Sequence, residues 1–105
     1  MLGRPKTVEE YVDLVDQALF EIDDLRAAAE YDMDSMGAAN EFLAELEREV
    51  KALRASMTDG SYRFGKEDLP FVKVVSLQDE MILPFKRLLL KINETHMNGL
   101  DVDEV

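Results

Sequence analysis

The segment MGAANEFLAELEREVKALRASM, residues 36–57, decides the fold. Within it Met36, Ala39, Leu43, Leu46, Val50, Leu53 and Met57 recur at alternating spacings of 3 and 4 residues, the a/d seam of a helix that packs against other helices. Glu41, Glu45, Glu47, Arg48, Glu49, Lys51 and Arg54 occupy the remaining faces. Ser35 is cap-competent and Gly37 sits poorly in a helix interior, so a helix is expected over 35–57. Thr58-Asp59-Gly60 ends it in a turn.

Upstream, Thr7 and Glu10 form a capping box, in which a hydroxyl and a carboxylate each satisfy a backbone N–H at a helix start. Val8, Val15, Ile22 and Ala29 then repeat every seven residues, with Tyr11, Ala18 and Leu25 between them. That wide apolar stripe predicts a helix over 8–31. Its outer face carries Glu9, Asp13, Asp16, Asp23, Asp24 and Glu30 against a lone Arg26, so packing must supply its stability. Residues 1–6 read as a loose arm. A short connection between the two helices makes them antiparallel neighbours.

Downstream, residues 58–68 lack helical period and read as a loop anchored by Tyr62 and Phe64. Asp68 is a candidate cap, with Pro70 in the first turn. From Phe71 an apolar stripe runs through Val75, Ile82, Phe85, Leu89 and Ile92. Ser76-Leu-Gln-Asp79 imitates a second capping signal, and Pro84 removes the N–H that would bond to Glu80. Residues 69–97 are therefore expected to form either one kinked helix or two, broken between Ser76 and Pro84. Asn98-Gly99-Leu100 is a C-cap signal, and 101–105 is an acidic tail. The expected fold is all-α: an antiparallel three-helix bundle, up-down-up, with a fourth helix if the third splits. At 105 residues it is a single domain with one core.

Cysteine is absent, which excludes disulfides, thiolate metal sites and cysteine nucleophiles. The net charge is −11, of which residues 1–59 carry −9, residues 60–100 carry +1 and residues 101–105 carry −3. An acidic chain is a poor binder of phosphate backbones or anionic lipid, so neither nucleic acid nor membrane is expected as a partner. No apolar run is long enough for a signal peptide or a membrane span, and a cytoplasmic protein is the expectation.

The third region has more apolar residues than one stripe needs, with Val72, Leu77, Met81, Leu83, Leu88 and Leu90 beside it. Leu88 to Leu90 alone sweep about 200° of helix circumference. Either the break folds the segment back and buries them, or they form an interface. The interface residues expected are Val72, Met81, Leu83, Leu88 and Leu90, with Tyr62 and Phe64 as aromatic anchors; the partner is a second copy or another protein chain.

Catalytic signals are sparse. His96, the lone histidine, lies at a helix end, where a solvated side chain is expected, and position 93, three before it, is Asn93 rather than the Glu of a Glu-x-x-His metal motif. Asp32-x-Asp34 imitates a calcium loop but has Met36 and Leu43 where oxygen ligands belong. Glu10-x-x-Asp13 and Glu21-x-x-Asp24 each put two carboxylates on one helix face, the spacing with which all-α hydrolases hold magnesium over a nucleotide. The glutamate pair at three-residue spacing that such enzymes add is missing. The leading expectation is a non-enzymatic interaction or regulatory module without cofactor or metal; the alternative is a magnesium-dependent nucleotide hydrolase using Glu10, Asp13, Glu21 and Asp24.

Overall fold

Thr7 starts α1 (Val8–Tyr31) as the capping box requires. Its hydroxyl accepts the Glu10 N–H at 3.1 Å and its carbonyl accepts the Tyr11 N–H at 3.0 Å, while the Glu10 carboxylate reaches one residue further back, to the Lys6 N–H at 2.8 Å. These details come from a computed structural model, which describes residues 4–31 and 39–100. The expected start of the second helix near Ser35 and the acidic tail at 101–105 lie outside the described residues. Residues 4–6 differ from the loose arm expected of 1–6. Pro5 is buried, and Arg4 donates from Nε to the Gly99 carbonyl at 3.2 Å and faces Glu94 at 3.8 Å.

The second helix, α2, covers Ala39–Asp59, followed by α3 (Val72–Ser76) and α4 (Lys86–Asn98). No strand occurs among the described residues. Arg26 bonds Glu47 and Arg54 bonds Asp16 at 2.7 Å, so residue numbers rise along α1 as they fall along α2. The pair is antiparallel. Between them Tyr11, Val15, Ala18 and Ile22 of α1 meet Leu43, Leu46, Val50 and Leu53 of α2 in one buried cluster. The seam of residues 36–57 is thus core from Leu43 to Leu53, with Met57 half-buried against it.

Asp59 and Gly60 end α2 two residues beyond the expected Met57. Gly60 has φ +82°, the Ser61 N–H bonds the Asp59 carboxylate at 2.8 Å, and the Tyr62 N–H returns to the Ser56 carbonyl at 3.0 Å. A Cβ on Gly60 would meet nothing within 4 Å, so Gly60→Ala measures backbone strain alone. We expect that substitution to lower stability by about 1–2 kcal/mol, read as a lower denaturation midpoint at unchanged slope.

The expected third helix is split, for two local reasons. Asp68 does not cap it: Leu69 and Val72 form a turn, Phe71 precedes α3 without a side-chain cap, and Asp68 bonds Asn93 instead. Nor does the capping signal at Ser76 start a helix, because Asp79 is used otherwise. Its carboxylate accepts the Met81 N–H at 2.8 Å and its carbonyl accepts those of Ile82 and Leu83, closing a tight turn that Pro84 prevents from continuing as helix. The second half begins only at Lys86.

Leu69 meets Asn93 and Gln78 meets Lys86, so residues 69–78 run opposite to α4. Because Arg4 and Tyr11 of the N-terminal end meet Gly99 and Ile92 of α4, α4 also runs opposite to α1. The chain therefore travels up, down, up through a short leg, and down again. The expected up-down-up bundle gains its fourth helix by folding the third back on itself. Leu69, Phe71, Val75, Leu83, Phe85, Leu89 and Ile92 join the core, and Gly99, at φ +82°, closes α4 with its N–H on the Thr95 carbonyl at 2.7 Å. Leu100 packs back on the core, as the C-cap signal requires.

Candidate interaction surfaces

Folding back disposes of most of the apolar surplus. Leu83 is fully buried, and Val72, Leu88 and Leu90 are half-buried against the core. On the turn between α3 and α4 three large side chains remain outside: Leu77 is 82% exposed, Met81 89% and Ile82 44%. The turn that carries them is well bonded. Besides the Asp79 bonds, the Leu77 N–H reaches the Val74 carbonyl, the Gln78 N–H reaches Val75, and the Lys86 ammonium donates to the Gln78 carbonyl at 2.7 Å. Lys73 and Arg87 are exposed on either side of it, with Arg87 also touching Glu80 at 3.3 Å. Of the expected interface residues, Met81 lies on this turn; Leu77 and Ile82 join it.

Tyr62 and Phe64 lie at the opposite end of the bundle. Phe64 is exposed and stacks on Tyr11 with ring centres 5.9 Å apart, while Tyr62 meets both rings edge-on. The three rings, with Val8, Val12, Ser56, Met57 and Gly60, line a depression of about 200 Å³, and a shallow groove of about 400 Å³ lies beyond Phe64 against Met97 and Leu100.

Beneath these rings runs a hydrogen-bonded line. The Tyr11 hydroxyl lies 3.0 Å from the Ile92 carbonyl and 3.1 Å from the Tyr62 hydroxyl, which lies 2.7 Å from His96 Nδ1. Counting protons gives this line one direction. A carbonyl only accepts, so Tyr11 spends its single proton on Ile92, and Tyr62 must then donate to Tyr11. His96 Nδ1 is therefore the donor to Tyr62, and in the neutral ring Nε2 carries the lone pair. Gly65 closes over that edge: its N–H bonds the His96 carbonyl at 3.2 Å, and a Cβ there would stand 3.0 Å from Nε2. His96 is thus held by a loop, not solvated as its terminal position led us to expect.

Tyr11→Phe removes the acceptor and frees the Tyr62 proton for Nδ1. Nitrogen shifts of the His96 ring at neutral pH should accordingly report a protonated Nδ1 in the wild type and a protonated Nε2 in the variant. An Nε2-protonated wild-type ring would refute the proton order. Burial lowers the His96 pKa and raises those of Tyr62 and, more strongly, Tyr11. Folded His96 binds protons less readily than the unfolded chain, so its contribution to stability is present above its ordinary value of about 6.5 and fades as the pH falls below it.

The helix 1 carboxylates point elsewhere. Glu10 serves as the cap, Glu21 accepts from Gln17 at 2.9 Å, and Asp13 and Asp24 are exposed. Among the described residues no three such side chains gather where a metal ion would fit, and no helix is long and apolar enough to cross a membrane.

No protein-family model, curated protein or solved structure matches the chain. The turn and the aromatic end are separate surfaces.

A second exposed aromatic accompanies them. Phe20 follows Tyr11 by about two and a half turns and is 65% exposed, on the face of α1 turned away from Tyr11 and the core. One turn away on either side stand Asp16, Asp23 and Asp24, with Asp13 a turn further. The apolar pattern carried a signal for it, since Phe20 is a large apolar residue off the stripe of its helix.

Proposed function

We propose that this protein is a non-enzymatic interaction module that docks through the turn at Leu77, Met81 and Ile82. The observation that carries this function is that three large apolar side chains stand in water on a turn whose backbone is hydrogen-bonded. Exposed apolar area costs roughly 25 cal/mol per Å² relative to burial, and a flexible turn could relax to hide it. This one is pinned by Asp79 and Lys86, so the residues are displayed at low ordering cost to a partner. Assembly proceeds through the segment that leads into α4 more than through α4 itself, whose leucines support the core.

The double variant Leu77→Gln/Met81→Gln tests it. Both positions are exposed, so helix content and denaturation midpoint should stay within about 0.5 kcal/mol of wild type. Self-assembly measured by light scattering, and capture of any partner from native extract, should be lost. A variant that assembles and captures as the wild type does would remove the proposal, as would a wild type that does neither.

A further inference from the structure

The loop between α2 and α3 is fastened at its ends by one set of contacts and in its middle by another. At its start the Tyr62 N–H bonds the Ser56 carbonyl at 3.0 Å and the Ser61 N–H bonds Asp59; at its finish Asn93 accepts from the Leu69 N–H and donates to Asp68. Between these anchors, among the described residues, the bonds that leave the loop gather at His96. The Gly65 N–H reaches its carbonyl, and its ring holds Tyr62, which bonds on to Tyr11. Arg63 bonds only carbonyls of the loop itself, those of Gly60 and Tyr62, and Phe64 touches the Tyr11 and Tyr62 rings while staying exposed. We propose that residues 62–67 are a flap latched by His96, closed over the neutral ring and released when the ring takes a second proton. The reason is where that proton goes. Nδ1 already donates to Tyr62, so the incoming proton binds Nε2, the edge that Gly65 covers. Among the described residues nothing accepts a bond from Nε2, and a charged donor held away from water is costly. Lifting Gly65 lets water in. The surrounding charges do not offset the new one. Tyr11 of α1 and Tyr62 are uncharged phenols whose pKa burial raises, and Lys66 adds a positive charge beside Gly65. Arg4 of the N-terminal arm and Lys91 pair with Glu94, Asp68 is bonded to Asn93, Glu67 is exposed, and none of these carboxylates forms an ion pair with His96. Burial accordingly lowers the affinity of the closed ring for a proton.

Amide hydrogen exchange of the intact protein reads the flap directly, each rate being divided by that of an unstructured amide at the same pH. Protection of the Gly65 N–H should fall several-fold as the pH drops below about 6.5, and by no more than about tenfold per pH unit for one proton. The opening should also be local. Gly65 should exchange faster than the α1–α2 core and respond little to mild denaturant, because a lifted flap exposes little surface. Exchange of Gly65 that matches the core in rate and denaturant response would mean whole-chain unfolding, and protection constant down to pH 5 would mean that the ring is no latch; either overturns the proposal. His96→Gln supplies a side-chain N–H but takes no proton, so Gly65 protection in it should be constant across this range. A loss that persists there belongs to carboxylates and also overturns it. Gly65→Ala tests the latch without touching the histidine, since its Cβ would stand 3.0 Å from Nε2 and hold the flap off the ring. His96 should then titrate near its ordinary value of about 6.5, above the wild type. Identical His96 titration in the two proteins would contradict the latch.

Discussion

Leu46→Ala should cost about 2–5 kcal/mol, with the unfolding slope unchanged. Leu46 is fully buried at the centre of the α2 seam, within the one core cluster of the protein. Its neighbours along the helix, Leu43 and Val50, are equally buried and face Val15, Ala18 and Ile22 of α1. Truncation removes the transfer energy of the lost methyl groups and leaves a cavity that rigid helices fill only in part. For a domain of this size the loss is a large share of the whole stability. Chemical denaturation followed by circular dichroism measures it. An unchanged midpoint would show that residues 36–57 do not form the core seam.

Asn93→Leu should cost about 1–3 kcal/mol although it replaces a polar side chain in the interior with an apolar one of similar size. Asn93 is buried, its Oδ1 accepts the Leu69 N–H at 2.7 Å, and its Nδ2 donates to the Asp68 carboxylate at 2.8 Å. Leucine would leave the Leu69 N–H buried without an acceptor, and the missing bond outweighs the gain in apolar burial. The same bonds tie residues 68 and 69 to α4, so the variant should also be cleaved faster within 61–70. Asp68 is exposed, so its carboxylate can return to water, and Asp68→Ala should cost well under half as much. Equal costs for the two variants would assign the anchoring to the wrong side chain.

Asn93 illustrates where the sequence stops being readable. Its place three residues before His96 excludes one metal motif, but its structural work depends on a loop 24 residues away, and no local pattern reports that. The long helices were legible because burial on one face imposes a helical period: α1 runs over the residues its stripe marks, and the α2 seam is core where described. Pro84 rightly signalled a break. Asp79 and Asp68 were harder, because the carboxylate chemistry that caps a helix also closes a turn or bonds a distant side chain. The fold-back of residues 69–98 followed from those choices, and with it which leucines end inside. Leu83 therefore belongs to the core, whereas Leu77 and Ile82 stand beside Met81 on the surface. His96 escaped for the same reason as Asn93, since its environment is built by Tyr62 and Gly65 from across the bundle.

The docking role of the Leu77–Ile82 turn is most directly tested by following backbone amide resonances of the intact protein as its concentration is raised. The predicted result is progressive change at residues 77–82, with the aromatic end at Tyr62 and Phe64 unmoved. Changes confined to Tyr62, Phe64 and Met97, with residues 77–82 constant throughout, would contradict it.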